Sequence, residues 1–207
     1  MDELTKEEIL AEIQRLRSIR SGPIIIALDG GSGAGKSTLA SLIENELDAA
    51  LIPLDDFFSA NIPDSQWDQF SVEERLNHVF DWSRLRDEAI EPLLAGKPAK
   101  WHLFDFQSGL RPDGTYEMKV EPVERKTANV ILIEGAYSAH PALADLIDLA
   151  ILVDVPIEER HARLKTREDK DFLAKWHGRW DSVEKYYFNR VRPRNSYDLI
   201  LRLVSRT

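Results

Sequence analysis

The sequence predicts an α/β protein built on a parallel five-stranded sheet with helices on both faces. Three observations carry that prediction. Short apolar runs at 24–28, 50–54, 130–133, 149–153 and 197–203 alternate with stretches of helical period, as strand–helix–strand units do. The first run leads into a glycine-rich loop, Gly30-Gly31-Ser32-Gly33-Ala34-Gly35-Lys36-Ser37, and then a helix. Acids stand at the ends of three runs, as Asp55-Asp56, Glu134 and Asp154. Doubly wound sheets bind ligands beyond the carboxyl ends of their strands.

Taken in order, residues 4–20 are expected to form an amphipathic helix. Thr5 and Glu8 make a capping box, with Leu4 and Ile9 as the staple pair. Ile9, Ile13 and Leu16 line one face, and Gly22-Pro23 stops the helix before the first strand. After the glycine loop, Leu39, Ala40, Leu42, Ile43 and Leu47 recur at helical spacing. A short second strand follows at 50–54. Residues 61–81 begin as loop and turn helical near Ser71, where Ser71 and Glu74 form another capping box. A helix is expected from Trp82 to Leu94, ended by Gly96 and Pro98. Trp101, Leu103, Phe104 and Phe106 alternate with polar residues ahead of Pro112-Asp113-Gly114, so 99–124 is expected to be a twisted hairpin. Buried strands at 130–133 and 149–153, a helix at 157–176 and a fifth strand at 197–203 complete the set. With no repeat, low-complexity segment or linker, 1–207 is expected to be one domain.

The loop carries the chemistry. Gly30, Gly35, Lys36 and Ser37 satisfy G-x-x-x-x-G-K-[ST]. Four glycines in six residues let the backbone turn its N–H groups inward, forming a nest for anionic oxygens. The helix opening near Lys36 adds unpaired N–H groups and the positive end of its dipole. Gly30, Gly31, Ser32, Gly33, Ala34, Gly35, Lys36, Ser37 and Thr38 are thus the expected nucleotide-binding residues. Lys36 has the reach for β- and γ-phosphates, and the Ser37 hydroxyl is placed to ligate Mg²⁺. A lysine in an open nest is expected to carry no core packing.

Composition narrows the partners. A net charge of −9 repels nucleic acid and anionic membrane alike, leaving a phosphorylated ligand to be held by local positive charge. The absence of cysteine removes disulfides and thiolate metal sites. No stretch reaches 18 apolar residues and the N-terminus is acidic, so a cytoplasmic location is expected. Oligomeric state, including a homo-oligomer, is left open.

Asp55 and Asp56, at the end of the second strand, are the candidate acids for a reacting group, and Phe58 follows them. Asp56 is expected to cap the next turn or reach a metal shell. Glu134 stands where a Walker-B acid would orient Mg²⁺. Arg160, Arg163 and Arg167 recur at spacings of three and four, on one helical face. In a chain of this charge that face is expected to meet phosphates. His78, His102, His140, His161 and His177 show no metal-ligand spacing and are expected to be surface or capped histidines.

With these residues in view, the chain resembles a P-loop small-molecule kinase of the uridine kinase family over 23–203. The likeness rests on the glycine loop, Asp55-Asp56-Phe57-Phe58, Phe80-Asp81, Phe104-Asp105-Phe106 with Arg111, Glu134-Gly135, and Asp154 with the arginines after it. It implies a P-loop NTPase fold with strand order 2-3-1-4-5, ATP and Mg²⁺ as cofactors, and a small-molecule acceptor. It also implies roles. Asp55 would take the proton of the acceptor hydroxyl, and Asp81 would bind sugar hydroxyls. Phe104 and Phe106 would flank the acceptor's base, with Phe58 and Arg111 lining the same site. Segment 157–180 would be a lid whose Arg160, Arg163 and Arg167 close over the phosphates. The chain departs from uridine kinases in having Phe104 for the tyrosine, Gly109 for the base-reading histidine, and Trp82-Ser83 after Phe80-Asp81. Asp55-Asp56-Phe57-Phe58 is also similar to nicotinamide riboside kinases, and the architecture is shared with pantothenate kinase and phosphoribulokinase.

Two rivals make different demands. A nucleoside-monophosphate kinase needs arginines around an anionic acceptor, whereas Arg75, Arg84 and Arg86 fall on expected helices, leaving Arg111. A non-catalytic nucleotide switch gains nothing from a carboxylate at Asp55 beside the γ-phosphate.

Overall fold

The computed structural model describes residues 5–167 and 169–202, apart from the side chains of 167 and 170–172. Helix α1 (Lys6–Ile19) begins with the Thr5–Glu8 capping box; Leu4, the other half of the expected staple, lies outside the described residues. Strand β1 (Ile24–Asp29) is buried along its whole length. It feeds the glycine loop and α2 (Lys36–Leu47), then β2 (Ala50–Pro53) and a 3-10 turn, Leu54–Phe57. Helices α3 (Asp64–Trp67) and α4 (Val72–His78) follow, the latter opened by the Ser71–Glu74 box.

The expected helix from Trp82 is present with a difference. It runs as α5 (Trp82–Arg84), a π-helical stretch Leu85–Ile90, and α6 (Glu91–Leu94). Pro92 has no N–H for the carbonyl one turn back, and the ladder widens immediately before it. Strands β3 (Ala99–Trp101) and β4 (Val123–Arg125) pair antiparallel, and the bridges Phe104–Met118 and Leu110–Tyr116 continue this arm. After β5 (Val130–Glu134) and β6 (Leu149–Asp154) come α7 (Ile157–Arg167) and α8 (Lys170–Tyr186). The single helix expected over 157–176 is thus two, and the second runs on to Tyr186, with Trp180 and Val183 buried in the core. Strand β7 (Leu199–Arg202) closes the sheet; Leu203, expected in this strand, lies outside the described residues.

The five-stranded sheet is parallel throughout, in the order β2-β5-β1-β6-β7. Counting its strands along the chain, this is the order 2-3-1-4-5. Period-two alternation sends Ile24, Ile26 and Leu28 into one core with Ile9, Ile13, Leu39 and Ile43, the buried faces of α1 and α2. Ile25, Ile131, Ile133 and Ile52 point the other way, toward Leu76, Ile90, Leu93 and Trp180. Each fully buried aliphatic side chain contributes about 1.5–3 kcal/mol. Register sets the active end: Leu28 and Pro53 both lie abreast of Glu134. The glycine loop, the turn bearing Asp55 and the Glu134 carboxylate therefore leave one edge of the sheet together. No helix among the described residues is long and apolar enough to cross a membrane.

Candidate active site

The loop is anchored from below by Asp29. Its carboxylate accepts from the N–H groups of Gly30 (2.7 Å), Tyr137 (2.9 Å) and Ala139 (3.1 Å), and from the hydroxyls of Tyr187 (2.6 Å) and Tyr197 (2.9 Å). Burial raises its pKa, and the donors oppose that shift. The set joins the ends of β1 and β5 to α8 and the approach to β7. Tyr137 takes a left-handed φ of +71° to bring its N–H to this carboxylate. Such a backbone costs a β-substituted residue on the order of 1 kcal/mol or more.

Within the loop, Gly33 has φ +80°, and a Cβ there would stand 2.7 Å from the Arg160 carbonyl. Gly35 opens α2 in a left-handed conformation with no side-chain cap. The first-turn N–H groups of α2 are thus left for an anion. Lys36 differs from the open-nest expectation. It is only 7% exposed, and its Nζ donates to the Gly31 carbonyl at 3.1 Å. The loop wraps closely enough to cover the side chain while holding the ammonium over its own backbone.

Residues far apart in sequence meet beside it. The Ser37 hydroxyl donates to Glu134 Oε1 at 3.3 Å. Burial lifts the Glu134 pKa above its usual value, with Asp55 and Asp56 adding to the effect and Lys36 and Ser37 opposing it. A carboxylate at the end of β5 beside the Ser37 hydroxyl, with Asp55 near enough to act on it, makes a donor set suited to Mg²⁺. Asp55 is exposed at this edge, while Asp56 turns inward. Asp56 Oδ2 accepts from the Trp101 indole (2.9 Å), and its own N–H and C=O pairing includes Phe104 N–H donating to the Asp56 carbonyl (3.0 Å). Burial raises the Asp56 pKa. Its role here is to fasten the β3–β4 arm to the 3-10 turn, rather than to cap the following turn.

The arginines divide. Arg160 Nη1 donates to the Ser32 carbonyl (3.0 Å), Nε to the Val155 carbonyl (3.2 Å), and Nη2 pairs with Glu184 Oε1 (2.6 Å). Glu184 Oε2 in turn accepts from the Ser32 N–H (2.9 Å). Arg163 reaches the carbonyls of Gly33 and Ala34, both at 3.3 Å. The helix face picked out by its spacing therefore grips the loop's backbone; the Arg167 side chain lies outside the described residues. Further along α8, Arg179 and Lys175 pair with Asp64, and Arg179 also with Asp68, which ties α8 to α3. Glu184→Ala would strand a nearly buried Arg160, at a cost of about 3 kcal/mol. A melting temperature lowered by roughly 6–12 °C is expected, and an unchanged one in a thermal scan would show that the pair carries no stability.

The candidate acceptor residues are distributed. Asp81 caps α5, its Oδ1 accepting from Arg84 N–H (3.0 Å) and Ser83 Oγ–H (2.8 Å). It also lines a cavity of about 320 Å³ with Ser59, Asn61, Asn77, Phe80 and Trp82. Phe58 is buried at the centre of an aromatic cluster, with ring centroids 5.0 Å from Phe104 and 5.7 Å from Trp180. Phe104 is likewise buried, and Phe106, 4.5 Å from it, is exposed. Arg111 pairs with Glu117 inside the arm (3.0 Å). A second cavity, of about 240 Å³, lies beside Gly31 and Arg160 at the end of β6, walled by Phe188 and Arg194.

Sequence reasoning missed Asp29, Glu184 and Arg125. Asp29 is the last residue of β1, immediately before the loop, and its place at a strand end was the available signal. Glu184 meets the loop across 152 positions and left none. Arg125 stacks over Trp101, with its Cζ 5.7 Å from the ring centroid, and donates to the Leu51 carbonyl.

Such a sheet, loop and converging acids define a P-loop phosphotransferase acting on small molecules. The chain belongs to the phosphoribulokinase / uridine kinase family, which it matches over residues 25–193. It is 30% identical over 174 residues to a uridine kinase of Staphylococcus aureus (strain JH9), covering 82% of this chain and 78% of that one. In fold it is similar to a possible uridine kinase from Bacillus stearothermophilus, with a TM-score of 0.66, 18% identity, and 94% and 99% of the two chains covered. It is also similar to a D-glycerate 3-kinase from Cryptococcus neoformans var. grubii, with a TM-score of 0.56, 15% identity, and 95% and 91% covered.

Proposed function

We propose that the chain transfers the γ-phosphoryl group of ATP to a hydroxyl of a nucleoside or similar polar metabolite. The observation that carries this reading is the meeting of Lys36, Ser37, Glu134 and Asp55 at one edge of the sheet. The acceptor oxygen attacks the γ-phosphorus, the bond to the β–γ bridging oxygen breaks, and ADP leaves. The hydroxyl proton passes to Asp55. Lys36 and the loop N–H groups stabilise charge on the transferring phosphoryl group. Mg²⁺ held by Ser37 and Glu134 would supply further positive charge to the phosphates. Segment 157–180, with Arg160, Arg163 and Arg167, serves as a lid over the triphosphate, and the cavity beside Gly31 takes the donor base.

For the acceptor, the cavity at Asp81 supports a ligand of many hydroxyls. Its wall combines a carboxylate, two amides and two serines with the faces of Phe80 and Trp82. The 99–124 arm lies on the acceptor side. The Staphylococcus aureus relative is named a uridine kinase, which favours a nucleoside like uridine over nicotinamide riboside, pantothenate or a sugar acid. A screen of ADP release across these four classes tests the reading. Acceptor-dependent turnover with one class is expected; ADP release equal with and without every acceptor would contradict it.

Acidification gives a further expectation. A Glu134 carboxylate raised above its ordinary 4.5 takes up its proton as pH falls toward that raised value, before an unperturbed glutamate would. The acid limb of kcat/KM is expected above pH 4.5. A profile flat down to that pH would separate Glu134 from the reaction.

A further inference from the structure

Three side chains that phosphoryl transfer does not use meet where α7 packs on α8. His161 comes from α7; His177 and Asp181 share a face of α8 at i, i+4. One ligand atom from each lies within 4.8 Å of the others. His177 Nδ1 is 2.9 Å from Asp181 Oδ1, His161 Nε2 is 4.0 Å from Asp181 Oδ2, and the imidazole centroids are 4.3 Å apart. Histidines 16 positions apart gave no ligand spacing in the sequence, and the pairing of the two helices supplies it.

The dimensions suit a small tetrahedral ion. With Zn–N and Zn–O bonds of about 2.0–2.1 Å, tetrahedral ligand atoms stand about 3.3 Å from one another. The two imidazole nitrogens stand 2.9 and 4.0 Å from the two different oxygens of Asp181, and with one ligand atom from each residue within 4.8 Å of the others, rotamer adjustments of partly exposed side chains reach that spacing. Two imidazoles and one carboxylate form a borderline donor set that suits Zn²⁺, Co²⁺ or Ni²⁺, whereas Mg²⁺ and Ca²⁺ take oxygen ligands. Partial exposure of all three residues leaves a fourth position for water.

We propose that His161, His177 and Asp181 bind a divalent transition metal of the Zn²⁺ class and so clip α7 to α8. Arg160 immediately precedes His161, and Glu184 lies one turn beyond Asp181. The clip therefore joins the two helices that carry the Arg160–Glu184 pair against the phosphate loop. The ion is bound in a position to stiffen that grip. Metal binding at these three side chains requires neither the acceptor nor turnover.

The test is a titration of the full chain with Co²⁺, read by its visible absorption, and with Zn²⁺, read by calorimetry. Saturating Mg²⁺ is present throughout to occupy the Ser37–Glu134 region. One equivalent is expected to bind, with slower amide hydrogen exchange in α7 and α8. His161→Ala and His177→Gln are each expected to weaken binding beyond the roughly 10–100-fold that loss of an outer partner costs; circular dichroism verifies that the variants are folded. Absence of binding to the wild type, or wild-type affinity in the folded His161→Ala and His177→Gln proteins, would overturn the proposal. Neither result bears on the kinase reading, since no turnover is measured.

Discussion

Lys36→Ala is expected to abolish measurable phosphoryl transfer. Its ammonium is held inside the loop, 3.1 Å from the Gly31 carbonyl, where the phosphoryl charge that develops in transfer is expected to meet it. One such contact is worth about 3 kcal/mol or more, on the order of 10³-fold in rate. Because the lysine is buried, with its Nζ on the Gly31 carbonyl, alanine also leaves space beneath the loop. Lys36→Met fills that space without the charge, so both variants are expected to be inactive while only alanine lowers the melting temperature. Turnover near wild type in folded Lys36→Met would remove the loop from the chemistry.

The second large effect is expected at Asp55. Asp55→Asn keeps shape and hydrogen bonding while removing charge and basicity. Acceptor phosphorylation is expected to fall by roughly 10²-fold or more, the scale of a lost general base. ATP affinity should stay equal or tighten, because a carboxylate near the γ-phosphate repels it. Asp56 is the internal control: asparagine can still accept from the Trp101 indole, so Asp56→Asn is expected to lose much less. A full-rate Asp55→Asn with a dead Asp56→Asn would exchange the two roles. Full activity in both would favour a nucleotide switch.

What was legible in the sequence was local. The glycine loop, the capping boxes at Thr5 and Ser71, and the apolar strands are each written in a few consecutive residues. The acids after β2 and β5 were visible as strand-end carboxylates, though only register explains why Pro53 and Glu134 lie abreast. Strand order came from the family resemblance, since periodicity does not encode which strands become neighbours. What escaped depends on packing between distant elements. The spacing of Arg160 and Arg163 gave a face, but Glu184 and the loop carbonyls decided what that face touches. Further along, Lys175 and Arg179 serve Asp64, a partner that no local spacing indicates. Phe58 followed the acids closely enough to suggest a substrate contact, yet five neighbouring rings enclose it. The π-helical stretch before Pro92 was implicit in that proline, whose effect on the preceding ladder is local but easily read as a simple continuation.

The central claim, transfer to an acceptor hydroxyl rather than to water, is tested most directly by ³¹P NMR. ATP, Mg²⁺ and the acceptor that best stimulates ADP release are incubated with the wild type and with Asp55→Asn. A phosphomonoester resonance growing one-for-one with ADP is expected for the wild type, with both signals suppressed together in the variant. ADP accompanied only by inorganic phosphate, at equal rates with and without acceptor, would contradict it.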